Sequence, residues 1–139
     1  TLSPFPGYET VDPTQKIYIT DWMAFEQYAL VKKNSGYYNI NKGYCFMLPS
    51  RWQGAVTVKP DTASGDVVFY KYEGEIKPNM KELMRISVVK TENVSEKLTE
   101  GYQAVYTKGR QNYMVKISGD KSEPLVLTMS EIMYNLIII

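Results

Sequence analysis

One stretch limits what this chain can fold into more than any other. It runs from Tyr37 to Trp52 and reads Tyr-Tyr-Asn-Ile-Asn-Lys-Gly-Tyr-Cys-Phe-Met-Leu-Pro-Ser-Arg-Trp. It opens with a turn, Asn39-Ile40-Asn41-Lys42-Gly43, in which Gly43 can take positive φ. Tyr44 to Leu48 follows as a strand. Its side chains are apolar at successive positions, so both faces need cover, and the strand belongs inside a sheet with neighbours on each side. Pro49 ends the ladder because it has no N–H to give. Trp52 comes just past the strand end, where an indole can close the edge of a core. Each of these residues has a structural task, so the stretch reads as a fold signature.

The rest of the chain has to supply partners for that strand. Ile17-Tyr18-Ile19-Thr20 is β-rich. Asp21 to Lys33 fits two readings. Trp22, Phe25 and Ala29 suit a helical stripe capped by Asp21, whereas Tyr28, Leu30 and Lys32 alternate as in a strand; the balance falls to β. Asn34-Ser35-Gly36 has the composition of a turn. Ala55 to Lys59 is a short strand, Pro60 to Asp66 a loop, and Val67 to Tyr72 a strand with Val68, Tyr70 and Tyr72 on one face. A polar connection from Glu73 to Asn79 precedes a strand from Leu83 to Lys90, with Met84, Ile86 and Val88 opposite Leu83, Arg85 and Ser87. Thr91 to Glu100 is polar, with a short helical turn around Val94 to Leu98. Tyr102 to Thr107 and Gln111 to Ser118 alternate about a tight polar tip, Lys108-Gly109-Arg110, and read as a hairpin.

The C-terminus carries a helix-start signature. Thr128 stands as N-cap and Glu131 three residues on, the spacing of a capping box; Leu127 and Ile132 have the spacing of a hydrophobic staple. Met129, Ile132, Met133 and Leu136 form one apolar stripe, and Ile137-Ile138-Ile139 is too apolar to hang in water. The expectation is therefore an α+β fold, an antiparallel β-sheet with a C-terminal helix packed on it. Residues 1–34 are expected as an N-terminal extended arm and junction, and residues 35–139 as a single α+β domain. Pro4, Pro6 and Pro13 make the first part of that arm an extended surface segment, and the start reads as a linker in a domain cut from a longer protein.

With 139 residues a core can form without disulfides or metal. Composition removes whole classes of chemistry. There is no histidine, which excludes a Ser-His-Asp triad, a Cys-His pair and every histidine-ligated metal site. The single cysteine has no second thiol for a disulfide or metal site. A net charge of +1 argues against a broad phosphate-binding surface, so no nucleic-acid partner is expected. No apolar stretch is long enough to span a bilayer as a helix.

Tyr37-Tyr38-Asn39, Gly43-Tyr44-Cys45-Phe46, Leu48-Pro49 and Trp52 together resemble the opening of the Mog1/PsbP-like α/β/α sandwich, and the resemblance covers roughly residues 35–139. The chain is also similar to the C-terminal domain of uncharacterised surface lipoproteins from Clostridium-like Firmicutes. The resemblance implies a fold and a surface location, with an upstream lipoprotein signal as anchor; the alternative location is cytoplasmic. It implies no active-site positions, because such folds serve unrelated partners.

Candidate sites are few. Cys45 lacks a histidine to activate it and reads as a packed thiol. Asp61 and Asp66 lack the spacing of a calcium loop and read as solvated acids. Glu73 with Glu75, or Glu96 with Glu100, could supply the carboxylate pair of a glycosidase, although isolated surface glutamates are the simpler reading. Asn93-Val94-Ser95 matches a glycosylation acceptor, a chance match in a bacterial chain. Tyrosines on or beside strands are chiefly amphipathic sheet residues. Tyr70, Tyr72, Tyr102, Tyr106 and Tyr113 nevertheless form a candidate aromatic patch for ligand binding. No catalytic residue, metal or cofactor is assigned. The expected function is a non-catalytic binding or accessory domain of an exported bacterial surface protein. Its partner would be another domain of the same chain, a cell-surface polymer or a protein. The alternatives are a carboxylate-dependent hydrolase and a purely structural interaction module.

Overall fold

The structure is a computed structural model and describes residues 2–5, 18–26, 29–76 and 78–139. Its strands are antiparallel in every pairing described and form two five-stranded sheets, with a few short helices between them, broadly α+β. Contacts divide the chain into two compact units. One comprises Thr1–Thr57, Tyr72–Lys77 and Thr128–Ile139, the other Val58–Lys71 and Pro78–Leu127.

The first sheet has the order β1-β2-β3-β4-β10, made of β1 (Leu2–Pro4), β2 (Tyr18–Glu26), β3 (Ala29–Asn39), β4 (Tyr44–Met47) and β10 (Leu136–Ile138). The segment that fitted both helix and strand is strand throughout its described part, with β2 and β3 paired from Thr20↔Gly36 to Glu26↔Ala29. Asn34-Ser35-Gly36, expected as a turn, continues β3 instead. Ser35 lies opposite Asp21 and donates its hydroxyl to Asp21 Oδ1 at 2.6 Å, both residues being buried. The Ser35 hydroxyl, part of the composition that suggested a turn, is thus satisfied across the ladder by Asp21. The N-terminal arm is not wholly a surface segment either. Leu2–Pro4 pairs with Tyr18–Thr20, and Phe5 is fully buried with its ring edge-on to Tyr37. The readings placed on residues 6–17, on Gln27-Tyr28 and on Lys77 lie outside the described residues.

β4 has a neighbour on each side, β3 and β10, as its apolar faces require. Gly43, at φ 75°, closes the turn before it by donating to Asn39 O at 2.9 Å. Tyr44 and Phe46 point to the face shared with Tyr37, and Trp52 meets Phe46 at 5.9 Å between ring centroids. Trp52 sits in a 3₁₀ turn, Ser50–Trp52, and is almost fully buried. Burying side chains of this size is worth roughly 1.5–3 kcal/mol each.

The C-terminal helix α2 (Met129–Asn135) starts as the sequence indicates. Thr128 Oγ1 accepts from Glu131 N at 3.2 Å, and Glu131 Oε1 accepts from Thr128 N at 3.1 Å. The same carboxylate receives Arg51 through two bonds, at 2.7 and 3.1 Å. Of the expected stripe, Ile132 is fully buried and Met133 is exposed. Leu136 does not extend the helix. It begins β10, where Leu136, Ile137 and Ile138 pair with Phe46, Cys45 and Tyr44. β-branched residues fit a ladder better than another helical turn, so the isoleucine triplet is held by its main chain, while the side chains of Ile137 and Ile139 stay about half exposed.

The second sheet has the order β5-β6-β7-β9-β8, made of β5 (Val56–Pro60), β6 (Val67–Lys71), β7 (Glu82–Lys90), β8 (Gln103–Lys108) and β9 (Gln111–Ile117). The hairpin β8–β9 closes through Gly109-Arg110, with Gly109 at φ 62°. A helix of six residues, α1 (Val94–Thr99), follows a 3₁₀ turn and precedes β8. One face of this sheet buries Phe69, Met84, Ile86, Tyr113 and Val115. Two bulges then alter the alternation. Leu83 is extra between the pairs Tyr70↔Glu82 and Phe69↔Met84, so Leu83 and Met84 are both buried. Val105 is extra between Ala104↔Met114 and Tyr106↔Tyr113. Among the described residues no helix is long and apolar enough to cross a membrane.

Candidate functional site

The opposite face of the second sheet carries the chemistry. Arg85 on β7 lies directly across from Lys116 on β9, with Glu82 further along β7. Two cations facing each other on neighbouring strands repel. The sheet tolerates them because Arg85 is surrounded by acids. Its Nε donates to Glu82 Oε2 at 2.8 Å and one terminal nitrogen to Asp61 Oδ2 at 3.0 Å, and that nitrogen lies 3.6 Å from Asp66 Oδ2. Both aspartates come from the loop between β5 and β6. Asp61 holds that loop by accepting from the amides of Ala63 at 3.0 Å and Ser64 at 3.4 Å. Gly65 N and Asp66 O close it on the main chain of Asp61 at 2.7 and 2.8 Å.

Asp66 is the deepest charge, with no exposed surface. It accepts a short hydrogen bond from the Tyr102 hydroxyl, and Lys97 Nζ stands 3.5 Å from its other oxygen. A buried carboxylate requires such partners, because an unpaired one carries a desolvation penalty of several kcal/mol. Lys97 reaches in from α1 and also contacts Glu100 at 3.7 Å. Its ammonium lies 4.6 Å from the Tyr102 ring centroid, and that of Lys116 lies 5.8 Å from the same ring. Tyr102 therefore joins the two halves of the cluster through its hydroxyl and its π face.

Glu82, Arg85, Lys97, Tyr102 and Lys116 line a cavity of about 890 Å³. Its floor is Glu82, Arg85 and Lys116, its wall is the α1 side with Asn93, Glu96, Lys97 and Glu100, and Ala63 and Ser64 form the rim. The α1 contributors fall at i, i+3, i+4 and i+7, one face of the helix and the 3₁₀ turn before it. Titration behaviour follows from these contacts. Burial and then the hydrogen bond to Asp66 push the Tyr102 hydroxyl above the ordinary tyrosine range, so it keeps its proton. Burial alone would raise Glu82, but the hydrogen bonds from Arg85 and Ser118 outweigh it and hold the carboxyl below its usual range. The hydrogen bond from Arg85 likewise holds Asp61 low.

The candidate tyrosines are not one patch. Tyr70 is half-buried on the cavity side of its sheet, the side of Glu82 and Arg85, and burial followed by Glu82 raises its pKa. Tyr102 is buried in the cluster. The bulge at Val105 turns Tyr106 to the other face, where its ring lies 6.3 Å from Tyr113. Tyr113 is fully buried and Tyr106 is 50 % exposed. Tyr72 belongs to the first unit and donates its hydroxyl to Gly74 O at 2.9 Å.

The remaining candidates separate clearly. Glu73 and Glu75 are exposed in the turn after Tyr72. Glu96 and Glu100 both line the cavity, side by side on one helix. Asp61 and Asp66 are anchors of the charged cluster and not solvated loop acids. Among the described residues no three histidine, cysteine, aspartate or glutamate side chains are grouped to hold a metal ion. Cys45 is buried on β4 and burial pushes its thiol up to about 11. Sequence reading passed over Arg85, Lys97 and Lys116. The available signal was Arg85, the single charge in the largely apolar stretch Leu83–Val89. No protein-family model, curated protein or solved structure matches this chain.

Proposed function

We propose that this chain is a non-catalytic binding domain whose contact site is the charged cavity beside Tyr102. One observation supports this above the others: the cavity is lined by three cations and three carboxylates, and its deepest members are already locked by one another. Locked charges give a rigid, polar, pre-organised wall, which lowers the ordering cost of binding. They are poor reagents. A general acid needs a pKa near the operating pH. The tyrosine in the cavity moves up and Glu82 and Asp61 move down, away from that range. The volume falls within the ~300–1,000 Å³ of small-ligand pockets.

The wider setting we propose is an exported bacterial surface protein with a Mog1/PsbP-like ancestry. What supports it is the run Gly43-Tyr44-Cys45-Phe46, Leu48-Pro49 and Trp52, together with the antiparallel α+β build. The partner in that setting is a surface polymer, a protein or a further domain of the same chain.

Titration of the ¹⁵N-labelled chain with neutral oligosaccharides, dicarboxylates and short peptides tests the binding reading. Amide shifts concentrated on Lys97, Tyr102 and Lys116 are the expected result. Shifts scattered over the surface, or none with any probe, would overturn it. The hydrolase alternative predicts release of p-nitrophenol from aryl glycosides that disappears in Glu96→Gln and Glu100→Gln. The binding reading predicts no release above background.

A further inference from the structure

Most charges in the cavity are accounted for internally. Arg85 is held by Glu82 and Asp61, and Lys97 stands between Asp66 and Glu100. Two are not. Lys116, on the floor, rests over the Tyr102 ring and forms no salt bridge among the described residues. Glu96, exposed at the open side of the helical wall, has no hydrogen bond or ion pair from its carboxylate among the described residues. They stand on different elements, β9 and α1, and do not pair with each other. Asn93, one turn before Glu96, also lines the cavity with a carboxamide that bonds to no described residue.

From this pattern we infer that the cavity takes a small zwitterion, an α-amino acid or short peptide with free termini, its carboxylate on Lys116 and its ammonium on Glu96. The inference rests on the binding reading above and narrows it to one ligand chemistry. A lone anion reaching Lys116 would also meet the field of Glu82, which is held ionised on the same floor. A lone cation reaching Glu96 would meet Lys97 beside it on α1. A ligand carrying both charges enters with no net charge and sets each end against an opposite charge of the wall. Its intervening backbone can lie along the Tyr102 ring, with Asn93 able to donate to or accept from a peptide group.

The test uses the full 139-residue chain and four probes: triglycine, N-acetyl-triglycine, triglycine amide and maltotriose. Triglycine should shift the amides of Lys116, Glu96 and Tyr102, and should bind about tenfold more tightly than either single-ended analogue. Lys116→Met keeps the stem over the ring and removes the charge. In that variant triglycine should fall to the affinity of triglycine amide. In Glu96→Gln it should fall to that of N-acetyl-triglycine. Triglycine binding no better than its analogues or than maltotriose overturns the zwitterion assignment and leaves a binding cavity of another specificity. If the analogues lose the same factor in wild type and in both variants, the assigned contacts are wrong. If none of the four shifts a cavity amide, the zwitterion assignment falls too. The wider oligosaccharide and dicarboxylate panel then decides whether the binding reading survives it.

Discussion

Tyr102→Phe removes one hydroxyl from the middle of the cluster. The substitution keeps the ring, so the contacts of Lys97 and Lys116 with its π face remain, and it removes the hydroxyl that donates to Asp66 and also interacts with Arg85. Asp66 is fully buried, and its other partners are distant and shared. Lys97 is 3.5 Å away and also serves Glu100; Arg85 is 3.6 Å away and also serves Glu82 and Asp61 at 2.8 and 3.0 Å. Neither cation can close on Asp66 without leaving another acid. The loss is therefore that of a charge-assisted hydrogen bond, about 1.5–3 kcal/mol. Asp66→Asn should cost more, about 3–5 kcal/mol, because it also leaves two part-buried cations facing a neutral amide. The double variant should fall short of the sum by about 1–2 kcal/mol, since both changes remove one bond.

The assay follows from where the reporters lie. Trp22 and Trp52 are both in the first unit, so tryptophan fluorescence follows that unit. Amide hydrogen exchange along β7 and β9 follows the second. The pH dependence gives an independent check. Tyr102 has a folded-state pKa above its ordinary 10.0. Above pH 10 the unfolded chain releases that proton while the folded chain holds it, so stability falls as pH rises from there toward the folded value. Tyr102→Phe should flatten this alkaline loss. A cost below about 0.5 kcal/mol, the range of ordinary surface changes, or additivity with Asp66→Asn, would refute the reasoning.

Thr128→Ala removes one half of the capping box and should cost about 0.5–2 kcal/mol, read by urea denaturation with tryptophan fluorescence. Glu131, bonded to Arg51 and to Thr128 N, has its pKa lowered from 4.5 to about 2. Its contribution to stability is present above pH 4.5 and is lost as pH falls toward 2, and Glu131→Gln should remove that slope from acid titrations. Gly119→Ala would drive a Cβ into Val126 Cγ2. It should cost about 1–3 kcal/mol, and Val126→Ala in the same chain should recover part of it; a neutral Gly119→Ala would show that the loop relaxes freely.

Local signals in the sequence were readable and longer-range ones were not. The Thr128–Glu131 box and the β8–β9 hairpin depend on neighbours a few residues apart, and both stand where their residues point. The strands between them were visible as alternation, but alternation assumes an unbroken period of two. One extra residue at Leu83 and one at Val105 reverse the faces beyond them, and this is why Tyr102 and Tyr106 part company. Nor does a strand's pattern name its sheet, so the division into two sheets was not legible. The β10 strand was hidden because Leu136 suits the end of a helical stripe as well as it suits a ladder against Phe46. In the site, Arg85 was conspicuous as a charge in an apolar run. Its acids come from Asp61, Asp66 and Glu82, and only folding brings the loop acids to it.

Cys45 is the only thiol in the chain, 3 % exposed on a strand hydrogen-bonded on both sides, and burial weakens its acidity. A reagent that attacks thiolates cannot reach it while β3, β4 and β10 stay paired. The rate of its modification is therefore a clock for the opening of that sheet: when closing outpaces reaction, the ratio of the observed rate to that of an unfolded thiol is the equilibrium fraction open. Because there is no other thiol to react, this clock needs no engineered probe.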